Sequence, residues 1–173
     1  MQLIQINGCS CSGKSTTVKG ILKQRAGIFH LSQDTLKWSF SDYAQAKDKY
    51  RGDVDAITLN VAEYIFSRKY PVLCDSSLWR EQREKLISLA KSHGYEIIEI
   101  NIEAEYPILQ ARFEQRVEDA LAAKSARISN TSLERFKELY EIYNKEKNPE
   151  AITYRSDSMT PEEIIASVLS IIK

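Results

Sequence analysis

A short glycine-rich segment near the start of the chain has the residue types that bind phosphate. Gly8 to Ser15 read GCSCSGKS and match the pattern G-x-x-x-x-G-K-[ST] at every fixed position. In such a loop the backbone N–H groups converge on an anion, and the N-terminus of the following helix adds its dipole. The expected nucleotide-binding residues are Gly8, Cys9, Ser10, Cys11, Ser12, Gly13, Lys14, Ser15 and Thr16.

Two side chains of this loop point to ATP chemistry rather than to phosphate binding alone. Lys14 is expected to reach the β- and γ-phosphates as a point charge and to take part in catalysis. The hydroxyl of Ser15 is expected to ligate Mg²⁺. The expected cofactors are therefore ATP and Mg²⁺.

Cysteines occupy two variable positions of the loop, Cys9 and Cys11. A metal-binding pair would need further ligands close by, and none follows in the sequence, so small residues that fill a loop are the simpler interpretation. A thiol beside a ring of N–H donors can have a lowered pKa. We hypothesise that oxidation of either cysteine blocks ATP binding, which retention of activity after peroxide treatment would disprove.

An acidic residue follows the second predicted strand, where it could serve an acceptor hydroxyl. Asp34 is expected to accept the proton of the hydroxyl as the phosphoryl group arrives. Lys37 lies one helical turn later and could hold an anionic group, and Trp38 could wall the acceptor pocket. The alternatives are that Asp34 only caps a helix and that the aromatic residues only pack in the core.

A second acid, Asp75, ends the third apolar strand. Ligands of open α/β sheets bind outside the carboxyl ends of the strands, which is where Asp75 is expected to lie. It could hold Mg²⁺ through water, or it could bind the acceptor hydroxyl. We assign no role to His30 or His93.

Two arginines, Arg112 and Arg116, lie four residues apart and hence on one face of a predicted helix. Phosphoryl transfer needs cations that neutralise the transferring group while water is excluded. A helical lid over approximately residues 112–131, which also contains Arg127, would supply them. The alternative is a solvated charged helix face.

The candidate site residues can act together only if strands and helices bring them to one edge of a sheet. The sequence pattern predicts such strands and helices. Short apolar segments alternate with segments of helical spacing, which predicts a parallel sheet covered by helices on both faces. Strands are predicted at residues 3–6, 28–31, 72–74, 96–102 and 151–154, and helices at 14–25, 53–68, 79–92, around 109–121, 132–147 and 161–172. No linker or repeat interrupts residues 1–173, which predicts a single domain.

The amino-acid composition narrows the classes of partner and the cellular compartment that are expected. Lys plus Arg number 24 and Asp plus Glu number 24, so the net charge of zero does not favour a long nucleic acid as partner. The three cysteines suit a reducing compartment, and no apolar segment approaches the length of a membrane span. A cytoplasmic protein with no membrane partner is expected; the oligomeric state is not indicated.

The order of the phosphate loop, Asp34, Asp75 and the arginine helix resembles the small P-loop kinases that include the kinase domain of polynucleotide kinase, chloramphenicol phosphotransferase and the zeta toxins. The resemblance covers nearly the whole chain and implies a five-stranded parallel sheet of order 2-3-1-4-5 with a helical lid. It implies that Asp34 is the general base, that Asp75 helps to bind the acceptor, and that Arg116 or Arg112 contacts the donor phosphates. Lys37 stands where polynucleotide kinases carry a basic residue, although it lacks the planar fork of arginine.

The expected function is transfer of the γ-phosphoryl group of ATP to a hydroxyl of a small acceptor such as a nucleoside, nucleotide, antibiotic or other metabolite. One alternative is a polynucleotide 5′-hydroxyl kinase, and another is an ATP-hydrolysing switch protein. The sequence does not name the acceptor.

Overall fold

Five parallel strands form the centre of the protein. The computed structural model describes residues 1–75, 80–123 and 132–173. The strands are β1 (Gln2–Asn7), β2 (Phe29–Leu31), β3 (Val72–Cys74), β4 (Glu96–Glu103) and β5 (Ile152–Arg155). Their spatial order is β2-β3-β1-β4-β5, and every neighbouring pair is parallel. The predicted P-loop fold class and strand order are confirmed.

Helices connect the strands on both faces of the sheet. They are α1 (Lys14–Gln24), α2 (Gln33–Lys37), α3 (Lys47–Ser67), α4 (Arg80–Ser92), α5 (Tyr106–Ala122), α6 (Leu133–Glu146) and α7 (Pro161–Ile171). The short helix α2 was not predicted, because five residues are too few to show a period in the sequence. Helix α3 begins at Lys47 rather than at residue 53, since its first turns are exposed and polar and carry no apolar signal.

Two apolar layers hold the helices against the sheet. On one face, α1 and α7 pack over β1, β3 and β4 around Ile4, Ile21 and Val168. On the other face, α3 and α4 pack around Phe66 and Leu86. This arrangement leaves the carboxyl ends of the strands uncovered by the two layers, which is where the predicted acids lie.

A third apolar cluster fixes α5 and α6 beside the phosphate loop. Phe113 of α5 stacks on Phe136 of α6 with ring centroids 4.5 Å apart, and both side chains are buried. Cys9 of the loop belongs to the same cluster. The arginines of α5 are therefore held next to the loop by packing. Arg127 and the remainder of the predicted lid up to residue 131 lie outside the described residues.

One face of the sheet is polar towards the carboxyl end, although buried parallel strands are usually apolar throughout. Gln5 and Asn7 of β1 lie beside Glu99 and Asn101 of β4 in the register. Gln5, Asn7 and Asn101 are buried. Burying polar groups has a cost unless they are paired, so this polar surface indicates a site rather than a core.

No helix in the described ranges has both the length and the apolar character needed to cross a bilayer.

Candidate functional site

The glycine-rich loop joins β1 to α1 in a conformation that exposes the helix N-terminus. A Cβ at Gly8 would lie 2.5 Å from the carbonyl oxygen of Ile102, so the close approach of loop and β4 requires glycine. Gly13, at the N-cap of α1, has a φ of 100°, which favours glycine. No side chain caps α1 and no acid lies in its first turn. The free N–H groups of that turn therefore fit an anionic ligand.

Lys14 is folded back onto its own loop. Its Nζ donates hydrogen bonds to the carbonyl oxygens of Gly8, at 2.6 Å, and Cys9, at 3.2 Å. Burial of the ammonium lowers the pKa of Lys14, and the charges of Cys9, Asp34 and Asp75 act in the opposite direction. Phosphate oxygens would likewise favour the charged form, so a bound polyphosphate would raise the pKa of Lys14 and oppose the effect of burial.

A cavity of about 630 Å³ opens at this loop and extends along the carboxyl edge of the sheet. That volume lies within the range of small-molecule sites. Its lining comprises Asn7, Gly8, Cys9, Ser10, Cys11, Gly13, Lys14, Ser15, Thr16, Asp34, Lys37, Asp75, Arg83, Arg112, Arg116, Leu139, Ile142, Tyr143, Glu146 and Lys147. The cavity therefore brings together the loop, both predicted acids, Lys37 and both predicted arginines.

Asp34 lies on α2 at the end of β2, with its side chain 81% exposed towards the cavity. Its Oδ1 accepts a hydrogen bond from Nζ of Lys37, one helical turn later. Lys37 is mostly buried, and its ammonium also lies 5.8 Å from the ring centroid of Trp38. Trp38 is not among the residues that line the cavity; it packs edge-on against Tyr43, 5.7 Å away. Its predicted contact with the acceptor stays a prediction.

Asp75 follows β3 and has an unexpected neighbour. His30 of β2 places Nε2 3.1 Å from Oδ1 of Asp75. The two atoms are buried and are not aligned as a hydrogen bond. The contact arises because β2 and β3 are paired with His30 opposite Leu73, two residues before Asp75. No sequence pattern indicated this contact, since 45 residues separate the two side chains.

The two arginines of α5 make different contacts with the loop. Arg112 donates through Nη1 to Oγ of Ser156, at 2.9 Å, and through Nη2 to the carbonyl oxygen of the same residue, at 2.8 Å. It also lies 3.4 Å from the carbonyl oxygen of Cys11. Within the described ranges Arg116 donates one hydrogen bond, to Oγ of Ser10 at 3.0 Å; it is exposed, and its guanidinium lies 5.2 Å from the ring centroid of Phe113. Arg116 is thus the arginine that is free to turn towards a transferring phosphate.

The loop cysteines lie in different environments. Burial raises the pKa of Cys9 to about 11, against the opposing effect of Lys14. Cys11 is only half-buried and has a φ of 66°, a conformation that is uncommon for residues other than glycine. Cys9 is therefore a neutral thiol at physiological pH, and the oxidation hypothesis falls on Cys11.

Sequence reasoning missed the wall that α4 and α6 supply to the cavity. Arg83 comes from α4, and Leu139, Ile142, Tyr143 and Glu146 come from α6. Burial and the carboxylate of Glu103 raise the pKa of Tyr143, whose hydroxyl donates to Oε1 of Glu103 at 3.0 Å. The apolar side of the helix at 132–147 was visible in the sequence, but the part of the molecule that it covers was not.

The donor set of the cavity fits Mg²⁺ better than a metal held by protein alone. No group of three or more His, Cys, Asp or Glu side chains suited to a metal occurs among the residues that the structure describes. Mg²⁺ is usually held by one or two carboxylates, phosphate oxygens and water. Ser15 and Asp75 both line the cavity and are the residues that would hold it.

A family model agrees with this geometry. Residues 3–142 match the family described as an AAA domain. This match includes the loop, both acids and the arginines of α5. No curated protein has a significant sequence match to the chain.

Three solved structures share the fold along the whole chain. A presumptive kinase of Chloroflexus aurantiacus is 14% identical, with a TM-score of 0.71 over 99% of this chain and 98% of its own. A sugar kinase of Janibacter sp. is 16% identical, with a TM-score of 0.62 over 98% of this chain and 93% of its own. Shikimate kinase of Aquifex aeolicus is 17% identical, with a TM-score of 0.63 over 98% of this chain and 95% of its own.

Proposed function

Since the chain belongs to the AAA domain family, we propose that it transfers the γ-phosphoryl group of ATP to a hydroxyl of a small acceptor. The observation that carries the proposal is that the phosphate loop, Asp34 and Asp75 line one cavity. The fold neighbours that are named as kinases support the same reaction class. Nothing in the fold alone selects an acceptor.

The loop and α1 would bind the polyphosphate of ATP through their N–H groups. Lys14 would leave the carbonyl oxygens of Gly8 and Cys9 for the β- and γ-phosphate oxygens. Arg116, which donates a hydrogen bond to Ser10, would neutralise charge on the transferring group. Arg112 would keep the loop in place through Ser156, since its guanidinium is already engaged there.

Asp34 would orient the acceptor hydroxyl and receive its proton. The acceptor oxygen forms a bond to the γ-phosphorus as the bond from that phosphorus to the bridging oxygen of ADP breaks. The electron pair leaves with ADP, and the proton goes to the carboxylate of Asp34. Lys37 would hold that carboxylate in place until the acceptor arrives.

Mg²⁺, when bound, would neutralise the charge that develops on the β- and γ-oxygens. Ser15 and Asp75 would hold it, and Asp75 could instead bind the acceptor. His30 would support either role by lying against the same carboxylate.

A screen for labelled γ-phosphate transfer tests the proposal. The acceptors would be nucleosides, oligonucleotide 5′ ends, sugars, hydroxy acids and amino alcohols, each tested with and without Mg²⁺. We expect transfer to at least one class, and its loss in Lys14→Ala. Hydrolysis of ATP to free phosphate at the same rate with and without every acceptor would favour a switch protein instead.

A further inference from the structure

One wall of the cavity, beside the phosphate loop, is formed by α4, the end of α6 and the polar face of β1. It contains three hydrogen-bond donors that the proposed transfer step does not use. They belong to Arg83, Lys147 and Asn7, which all line the cavity. The donors proposed for ATP belong to the loop, α1 and α5.

Arg83 is buried, with only 8% of its surface exposed. Its Nη2 donates to the carbonyl oxygen of Glu146 at 2.8 Å, which joins α4 to the end of α6. Its Nε lies 3.7 Å from Oε1 of Glu99, too far for a hydrogen bond. Among the described residues Nη1 makes no hydrogen bond. A guanidinium has five donors, so most of its capacity is unused at the cavity wall.

The two neighbouring donors are also incompletely used. Nζ of Lys147 donates to Oε1 of Glu103 at 2.7 Å, which engages one of its three protons. Asn7 accepts a hydrogen bond from Gln5 through Oδ1, but its Nδ2 is buried and has no partner within the described ranges. A buried donor without a partner is costly, so a ligand that accepts hydrogen bonds would recover that cost.

The acidic side chains near this wall balance the charges of Arg83 and Lys147 but leave hydrogen-bond donors unused. Glu146 is the acid of the cavity lining that lies on α6, and its Oε2 accepts a hydrogen bond from the backbone N–H of Arg80 at 3.2 Å. Glu99 and Glu103 lie behind the lining and already contact Arg83 and Lys147. What remains at the cavity surface is therefore a set of unused hydrogen-bond donors, on side chains whose positive charges are matched by Glu99 and Glu103.

We propose that Arg83, Lys147 and Asn7 form a subsite for an oxyanion of the acceptor, so that the substrate is an alcohol that also carries a carboxylate or phosphate group. This inference rests on the proposed function only in calling the ligand an acceptor. Binding of an anion at the subsite does not itself require phosphoryl transfer. Arg83 would bind the anion in the plane of its guanidinium, as arginine does with carboxylates and phosphates. The anion would anchor one end of the acceptor and leave its hydroxyl to reach Asp34.

Binding of small anions to protein saturated with Mg²⁺ and the β,γ-imido analogue of ATP tests the subsite directly. The analogue occupies the phosphate loop, so inorganic phosphate or malonate must bind elsewhere; glycerol serves as the neutral probe. Calorimetry should show saturable binding of phosphate or malonate but not of glycerol. Tighter binding of phosphate than of malonate would indicate an acceptor that carries a phosphate group, and the reverse order would indicate one that carries a carboxylate.

Arg83→Gln should weaken anion binding roughly tenfold or more, as expected for a lost charged hydrogen bond. Arg80→Gln is the matched control, because Arg80 lies on the same helix, is 65% exposed and pairs with Glu84. Unchanged affinity for the ATP analogue shows that a variant is folded. If Arg83→Gln does not fold, Lys147→Gln carries the same expectation.

Two results would overturn the subsite: absence of anion binding in the wild type, or equal anion affinity in wild type and folded Arg83→Gln. In the transfer assay, glycerate should be used with a lower KM than glycerol, and Arg83→Gln should raise the KM for glycerate alone. Anion binding without transfer to any acceptor would instead overturn the kinase and leave the subsite standing.

Discussion

The side chains with proposed chemical roles are held in place by hydrogen bonds that contacts with a ligand could replace. Lys14 donates to loop carbonyl oxygens, Lys37 donates to Asp34, and Arg116 donates to Ser10. Each contact satisfies a charged group. Of these contacts only Lys37–Asp34 is an ion pair, and an exposed ion pair contributes at most about 1 kcal/mol, so its exchange for a substrate contact costs little.

Replacement of the proposed base is the first prediction at this scale. Asp34→Asn should lower kcat by a factor of about 10²–10⁴, because the amide cannot take the proton of the hydroxyl. Affinity for ATP should change little, since Asp34 lies outside the phosphate loop. Thr35→Ala, at the exposed next residue, is the control. Undiminished transfer in Asp34→Asn would remove this residue from catalysis.

Alkylation of the loop cysteines is the second prediction. At pH 7.5, iodoacetamide should modify Cys11 well before Cys9, because the thiolate is the nucleophile and the pKa of Cys9 is raised to about 11. Modification of Cys9 should increase as the pH approaches that value. Adducts are located by mass spectrometry, and Cys11→Ser should remove the early adduct. A first adduct on Cys9 would contradict the expected order.

At the scale of elements, two helices far apart in the chain share one apolar contact that needs a glycine. A Cβ at Gly20 of α1 would overlap Cδ1 and Cγ1 of Ile165 on α7. Gly52 of α3 has open space around it. Glycine weakens a helix by about 1 kcal/mol relative to alanine. The close packing of Ile165 explains the presence of Gly20 in α1, whereas packing does not explain Gly52 in α3.

The two glycines give a matched pair of stability predictions. Gly20→Val should destabilise the fold by about 1–3 kcal/mol through overpacking against Ile165. Gly52→Ala should be neutral or should stabilise by up to about 1 kcal/mol. Urea unfolding followed by circular dichroism measures both. Equal stability of Gly20→Val and wild type would show that α7 moves away without cost.

At the scale of the molecule, ATP should stabilise the folded chain. The cavity draws on β1, α1, α2, α4, α5 and α6, which unfolding would separate. A ligand at a hundred times its Kd stabilises by about 2.7 kcal/mol. For a chain of this size, that corresponds to roughly 5–10 °C in Tm. The shift should vanish with EDTA or in Lys14→Ala, and a shift that persists in both would place ATP elsewhere.

The local patterns of the sequence were sufficient for the fold and for the donor half of the site. The phosphate loop is contiguous from Gly8 to Ser15, so its chemistry can be identified without any tertiary contact. Alternation of apolar and helical segments is also local, and parallel strands bring their carboxyl ends to one edge wherever they pair. Asp34 and Asp75 were therefore placed at the cavity by strand order alone.

The proposed acceptor half of the site was decided only by tertiary structure. Arg83 reaches Glu146 across 63 residues, and His30 reaches Asp75 across 45, with no pattern to link either pair. Such contacts depend on which face of a helix turns inward and on the register between strands, and both are settled by packing of the whole chain. The sequence thus determined that this protein has a nucleotide-binding fold, while the packing of α4 and α6 determined the surface that we propose for the second substrate.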